Sequence, residues 1–247
     1  MKVFRKCIGA AVACASVLSL AACGISTKKT GSANITVLPV ENIADDFIMG
    51  VDVSSMISVE NAGGAFYDAN GKKADLLELL KMGGANCVRI RVWNNPFDAN
   101  GNGYGGGNND IETAVKIGKR ATDAGLGVLI DFHYSDNFAD PSKQTTPAAW
   151  ANYDMEQLKE AVANHTTDVL TALRDSGITP EWIQVGNETR CGMLWPTGQL
   201  WDKNGDLPNG WKNYAALTQA GYNACKAVFP DAQVIVHIDN AYEDNRW

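Results

Sequence analysis

Between residues 47 and 238 short apolar segments alternate with amphipathic ones, and this rhythm limits the fold more than any other feature. The apolar segments at 47–53, 87–93, 127–133, 182–186 and 233–238 have the length of buried strands. The segments at 74–82, 111–124, 155–176 and 214–228 have helical spacing; Gly83, Gly125 and Gly177 close three of them and Pro230 stops the fourth. Strands separated by helices pair in parallel. Each strand also runs into polar side chains at its C-terminal end: Asp52 and Ser54; Arg91 and Trp93; Asp131, His133 and Asp136; Asn187 and Glu188; His237, Asp239 and Asn240. A TIM barrel collects its site from the ends of several strands. A doubly wound sheet collects it at one switch point, often beside a glycine-rich phosphate turn. No strand here opens into G-x-G-x-x-G or G-x-x-x-x-G-K. The expected class is therefore α/β, a (β/α)8 TIM barrel.

The first residues read as an address. Lys2, Arg5 and Lys6 precede a small-residue apolar run over 8–22, too short for an ordinary membrane span but fitting a secretory signal. The run ends in Leu20-Ala-Ala-Cys-Gly24, which resembles the lipobox of bacterial lipoproteins. Two readings stand, a lipoprotein signal that leaves Cys23 diacylated, and an ordinary signal cut after Ala22. The first would anchor the chain stably on the extracellular face of a bacterial membrane; the second would make it secreted. Residues 23–45, rich in Ser, Thr, Lys, Asn and Gly, read as a flexible tether, and 46–247 as the catalytic part.

Charge and cysteine usage exclude several classes. The formal net charge is -7, and it becomes -10 once the three positive and no negative charges of residues 1–22 are removed. That is the wrong sign for neutralising phosphates, so no nucleic-acid partner is expected. Cys87, Cys191 and Cys225 lie far apart and form no C-x-x-C, so neither a disulfide framework nor a cysteine metal site is expected. Asp98-Ala-Asn-Gly-Asn-Gly103 starts like a calcium loop, but its twelfth position is Asn109 rather than Glu. Asp202-Lys-Asn-Gly-Asp206 lacks the Gly required at position six, and His133 and His237 lie on different strands. No metal or other cofactor is expected.

The fourth strand carries the chemistry. An acid in an apolar setting is suited to general acid work near neutral pH, and Glu188 follows the buried run 182–186. Asn187 could then hydrogen-bond a sugar hydroxyl. By spacing alone a capping Asn with a solvated Glu is an equal reading.

The string Gly186-Asn-Glu-Thr-Arg-Cys-Gly-Met-Leu-Trp-Pro-Thr-Gly198 resembles glycoside hydrolase family 53, the arabinogalactan endo-β-1,4-galactanases. Gly50-Val-Asp-Val-Ser54, Val88-Arg-Ile-Arg-Val-Trp93, Asp131-Phe-His-Tyr-Ser-Asp136, Ala139-Asp-Pro141 with Gln144 and Trp150, and His237-Ile-Asp-Asn240 agree with it in order. The resemblance implies a retaining hydrolase of the β-1,4-galactan side chains of pectin, with Glu188 as acid/base. It places the second carboxylate, the nucleophile, at the end of a seventh strand. This sequence carries five strands, so a barrel truncated after about five β/α units is expected, inactive and poorly folded by itself. Glu243 is the nearest late Glu, and its loop position suits the nucleophile poorly.

Around Glu188, either Arg89 or Arg91 would support the nucleophile; both face one side of the strand, so alternation cannot choose. A pair of arginines neutralising Asp52 and Asp131 is the other reading. His133, Asp136, His237, Asp239 and Asn240 are expected to line the groove, and Trp93 and Trp195 to stack on sugar rings. A monomer is expected. A mannanase- or cellulase-like retaining glycanase, and a surface lipoprotein that binds carbohydrate without cleaving it, are the alternatives.

Overall fold

The protein is described by a computed structural model, which covers residues 40–44 and 46–240. The expected signal, Cys23 and Glu243 lie outside the described residues. The chain divides into two units between Asp45 and Asp46, and the second holds every strand and helix found among the described residues.

Five strands of one sheet are separated by five α-helices, two of them between the first two strands: β1 (Gly50–Asp52), α1 (Met56–Asn61), α2 (Leu76–Met82), β2 (Cys87–Val92), α3 (Ile111–Asp123), β3 (Gly127–Phe132), α4 (Met155–Asp175), β4 (Trp182–Val185), α5 (Gly210–Val228) and β5 (Gln233–Ile235). The strands form one parallel sheet in the order β1-β2-β3-β4-β5. A doubly wound sheet reverses its strand order at the switch point. This sheet runs in sequence order without reversal, as the first five β/α units of a (β/α)8 barrel do.

Strand alternation separates an apolar outer face from a polar inner one. Val88, Ile90 and Val92 on β2, Val128, Ile130 and Phe132 on β3, and Ile183 and Val185 on β4 are buried. They belong to one core with Ile117 and Ala121 of α3, Leu158, Val169 and Leu173 of α4, and Leu217 and Cys225 of α5. Each fully buried Ile, Leu or Phe contributes about 1.5–3 kcal/mol. The residues between them, Arg89, Arg91, Asp131 and Gln184, therefore face the inside of the arc. Gly221 lets α5 approach β4 closely: a Cβ there would meet Val185 Cγ1 at 2.7 Å and the Tyr134 hydroxyl at 2.9 Å.

The helices start on side-chain caps that the sequence supplies. Asp75 and Asp110 accept from the Leu77 and Thr113 amides. Asp154 and Gln157 form a reciprocal capping box at the start of α4. Each cap is worth about 1 kcal/mol.

Three features differ from the sequence reading. The stretch between the first strand and α2 holds α1 and an antiparallel pair, Phe66–Tyr67 with Lys73–Ala74. The outer strands are shorter than expected, and α5 begins at Gly210 rather than 214. The loop after β4 is built from two further antiparallel pairs, Gly192–Met193 with Gly198–Gln199 and Trp201–Asp202 with Gly205–Asp206. Segments of two or three residues are too short to show a periodicity.

Candidate active site

Parallel register sets the inner-face charges side by side. It places Asp52 of β1 beside Arg89, Arg91 beside Asp131 of β3, and Asp131 beside Gln184 of β4. Arg89 bridges two strands: Nη1 lies 2.8 Å from Asp52 Oδ2 and Nη2 lies 2.6 Å from Asp131 Oδ2. Arg91 Nη2 lies 3.1 Å from Asp52 Oδ1. Both arginines thus point into the arc and neutralise the two aspartates. Burial alone would raise the Asp52 pKa, but the Arg91 charge, hydrogen bonds from Ser54 and the bond from Arg89 outweigh it and hold it below the ordinary value.

Asp131 is buried, and three elements satisfy it. Besides Arg89, Gln184 Nε2 donates to Oδ1 at 2.6 Å and His133 Nε2 lies 2.9 Å from Oδ2. The Ala139 amide donates to His133 Nδ1 at 3.0 Å. An amide N–H can only donate, so Nδ1 is the acceptor and Nε2 carries the proton toward Asp131. His133 is consequently buried beneath the groove, where it orders the loop after β3.

At the end of β4 the chain turns sharply. Gly186 has φ 84°, and a Cβ there would meet Thr189 Cγ2 at 2.6 Å, so this position requires glycine. Asn187, 2% exposed, has its carboxamide fixed on both sides. Arg89 Nη2 donates to Oδ1 at 2.8 Å, and Nδ2 donates to the Ala139 carbonyl at 2.8 Å. Nδ2 keeps one hydrogen for another acceptor. Glu188 follows in the left-handed region, at φ 50° and ψ 49°. It is half-buried, and its carboxylate makes no hydrogen bond or ion pair with the described residues. Gln144, a motif residue with no role evident from the sequence, donates from Nε2 to the carbonyls of Asn187 at 2.8 Å and Glu188 at 3.2 Å.

The remaining expected residues divide into two groups. His237 joins the centre: its Nδ1 lies 3.0 Å from Asn187 Oδ1, and its carbonyl accepts from the Thr189 amide at 2.9 Å. Trp195 is half-buried beside Glu188's loop, with Nε1 donating to the Cys191 carbonyl at 3.1 Å. Asp136 braces loops instead, accepting from the amides of Asn95 at 3.0 Å and Ala148 at 2.8 Å. Asp239 pairs with Arg190 at 3.1 Å, and Asn240 is exposed at the edge of the described residues. Trp93 is only 1% exposed; its ring packs against His133 and beneath the Arg91 guanidinium, so it presents no open face. An open aromatic beside them is Phe138, 43% exposed, edge-on to His133 and 5.3 Å from the Arg91 guanidinium carbon.

The calcium-like loops satisfy themselves. Asp98 Oδ1 accepts from the Asn100 and Asn102 amides, and Asp202 Oδ1 from the Asn204 amide. Among the described residues no group of three His, Cys, Asp or Glu could hold a metal ion.

Comparison with known proteins places the chain's fold and family. The family model described as Glycosyl hydrolase family 53 matches residues 48–247. The endo-beta-1,4-galactanase of Bacillus subtilis (strain 168) is 42% identical over 214 residues, which cover 87% of this chain and 47% of that protein. An arabinogalactan endo-beta-1,4-galactanase of Thermothelomyces thermophilus is 39% identical over 203 residues, covering 80% and 56%. Among solved structures, the Ignisphaera aggregans GH53 catalytic domain superposes with a TM-score of 0.76 at 42% identity, covering 82% of this chain and 54% of that one. A fungal beta-1,4-galactanase superposes at 0.67 with 39% identity, covering 78% and 54%. The chain spans about half the length of the curated relatives it matches.

Proposed function

The chain belongs to glycosyl hydrolase family 53, and on that premise we propose that it carries the acid/base side of an endo-acting β-1,4-galactanase. The observation that carries this reading is the end of β4. Asn187 is locked to Arg89 and Ala139, while the adjacent Glu188 carboxylate is half-buried and unpartnered among the described residues. A general acid must be held in place and still be free to reach the glycosidic oxygen.

In the proposed retaining mechanism, Glu188 protonates the leaving-group oxygen while a second carboxylate attacks the anomeric carbon and forms a glycosyl-enzyme. Glu188 then takes a proton from the water that releases the sugar. Retention needs the two carboxyl groups about 5–5.5 Å apart. The family resemblance puts the second at the end of a seventh strand, so no described residue is given that role. The remaining hydrogen on Asn187 Nδ2, together with His237, supplies polar contacts to the sugar beside the scissile bond. Phe138 and Trp195 supply apolar faces for the rings. The activities in the relatives' names favour galactan over mannan or cellulose. The lipidated Cys23 would hold the enzyme on the extracellular face of the membrane.

Proton NMR of galactan digests made with the protein carrying this chain tests the reading. Short galacto-oligosaccharides whose new reducing ends appear first as the β anomer are expected. First release of the α anomer, cleavage of mannan or cellulose instead, or binding of galactan without cleavage would contradict it.

A further inference from the structure

We infer that Gln144 is a positioning residue for the acid/base, acting on Glu188 through its backbone. The inference rests on the acid/base role proposed above for Glu188.

Three observations converge on it. First, Glu188 holds a left-handed backbone conformation, which costs a non-glycine residue of the order of 1 kcal/mol and persists only where the surroundings over-determine it. Second, the turn points the Asn187 and Glu188 carbonyls away from the sheet ladder, and both are met by one donor group, Gln144 Nε2, at 2.8 and 3.2 Å. Gln144 is 2% exposed, so water does not readily replace that donor. Third, Gln144 is itself held to the opposite side of the same loop. Its carbonyl accepts from the Trp195 amide at 2.8 Å, Thr145 bridges to Trp195, and Thr146 Oγ1 donates to the Trp195 carbonyl at 2.8 Å. The loop between β3 and α4 therefore grips the segment 187–195 at two places. Among the described side chains, the Gln144 carboxamide is the one that donates to the carbonyl of the residue whose carboxyl must be aimed. Removing it loosens the two peptides on either side of Glu188, which then keep only the Glu188 amide contact to His237 Nδ1 at 3.3 Å and the Thr189 amide bond at 2.9 Å, and with them the direction of the Glu188 side chain. A displacement of about 1 Å at a reacting group is enough to cost about 100-fold in rate.

Dependence on the leaving group separates aiming from general support. Galactan has a poor leaving group and needs the proton from Glu188. A 2,4-dinitrophenyl β-galactobioside does not, because its phenolate departs unprotonated. Azide can then displace the enzyme carboxylate from the anomeric carbon with no proton to remove. Aryl turnover in azide thus bypasses the acid/base altogether.

The test measures kcat and KM on both substrates in the protein carrying this chain, for Gln144→Leu, the same-shaped Gln144→Glu, Thr146→Val and Glu188→Gln. Expected is a loss of about 100-fold in kcat on galactan for the Gln144 variants, with KM within about threefold. Aryl turnover in azide should stay within about threefold, and Thr146→Val, which loses a grip on Trp195 but not the contact to Glu188, should lose far less on galactan than Gln144→Leu. A crystal structure of Gln144→Leu should show Glu188 displaced from φ 50°. Equal losses on both substrates, a Thr146→Val loss as large as that of Gln144→Leu, failure of both Gln144 variants to fold, or undiminished galactan hydrolysis would overturn the inference. Undiminished galactan hydrolysis by Glu188→Gln would instead overturn the functional reading beneath it.

Discussion

The Arg89 guanidinium lies 2.6 Å from the buried Asp131 carboxylate, and the same nitrogen donates to Asn187 Oδ1 at 2.8 Å. One side chain on β2 thus ties the charge on β3 to the residue that precedes the proposed acid/base in the turn after β4. Removing one partner of a buried ion pair leaves an uncompensated charge and costs about 3–5 kcal/mol. Arg89→Met should lower the denaturant midpoint accordingly. In a double-mutant cycle with Asp131→Asn the two losses should fall short of additive by at least about 1 kcal/mol. Strict additivity would show that the pair does not act as a unit.

The pH dependence of stability should show two windows. His165 is buried among Phe132, Tyr134 and Trp150, and burial lowers its pKa to about 4. Glu160 and Asp168 of the same helix border the cleft beside it. The unfolded chain takes up this proton near pH 6.5 and the folded one only near 4, so stability falls as pH drops through that interval. The loss levels off at about 3 kcal/mol. Below the ordinary Asp value of 3.8, the depressed Asp52 carboxyl adds a second loss as it is protonated in the folded state. Urea titrations at successive pH values should show the upper window disappear in His165→Phe and the lower one shrink in Asp52→Asn. An unchanged upper window in His165→Phe would assign that loss elsewhere.

Phe138 and Trp93 should separate binding from stability. Phe138→Ala removes an exposed ring and should raise KM for galactan roughly two- to tenfold, with little change in melting temperature. Trp93→Ala empties a buried site and should cost about 3–5 kcal/mol of stability. A KM unaffected by Phe138→Ala would remove that ring from the substrate groove.

Much of this was legible in the sequence, for physical reasons. The strand and helix rhythm survives because buried strands and amphipathic helices each have a periodicity. Asn187-Glu188 was legible because its motif is long. Arg89 and Arg91 share a strand face, so alternation could not rank them; cross-strand register gives Arg89 the contact with Asn187. Gln184 left a signal, a lone amide inside an apolar strand, that could have marked it as an inner-face residue. Gln144 left none, since its contacts are to backbone atoms more than forty residues away. Trp93 is buried against expectation because the loop around Gly106 covers its ring, a tertiary effect with no local trace.

The central claim is that Glu188 exchanges the proton during galactan cleavage. Its most direct test is kcat on β-1,4-galactan for Glu188→Gln in the protein carrying this chain, with folding verified by circular dichroism. A positioned general acid/base contributes about 10²- to 10⁴-fold, and a loss in that range is the predicted result. A folded Glu188→Gln variant that turns over galactan at the wild-type rate would contradict the account.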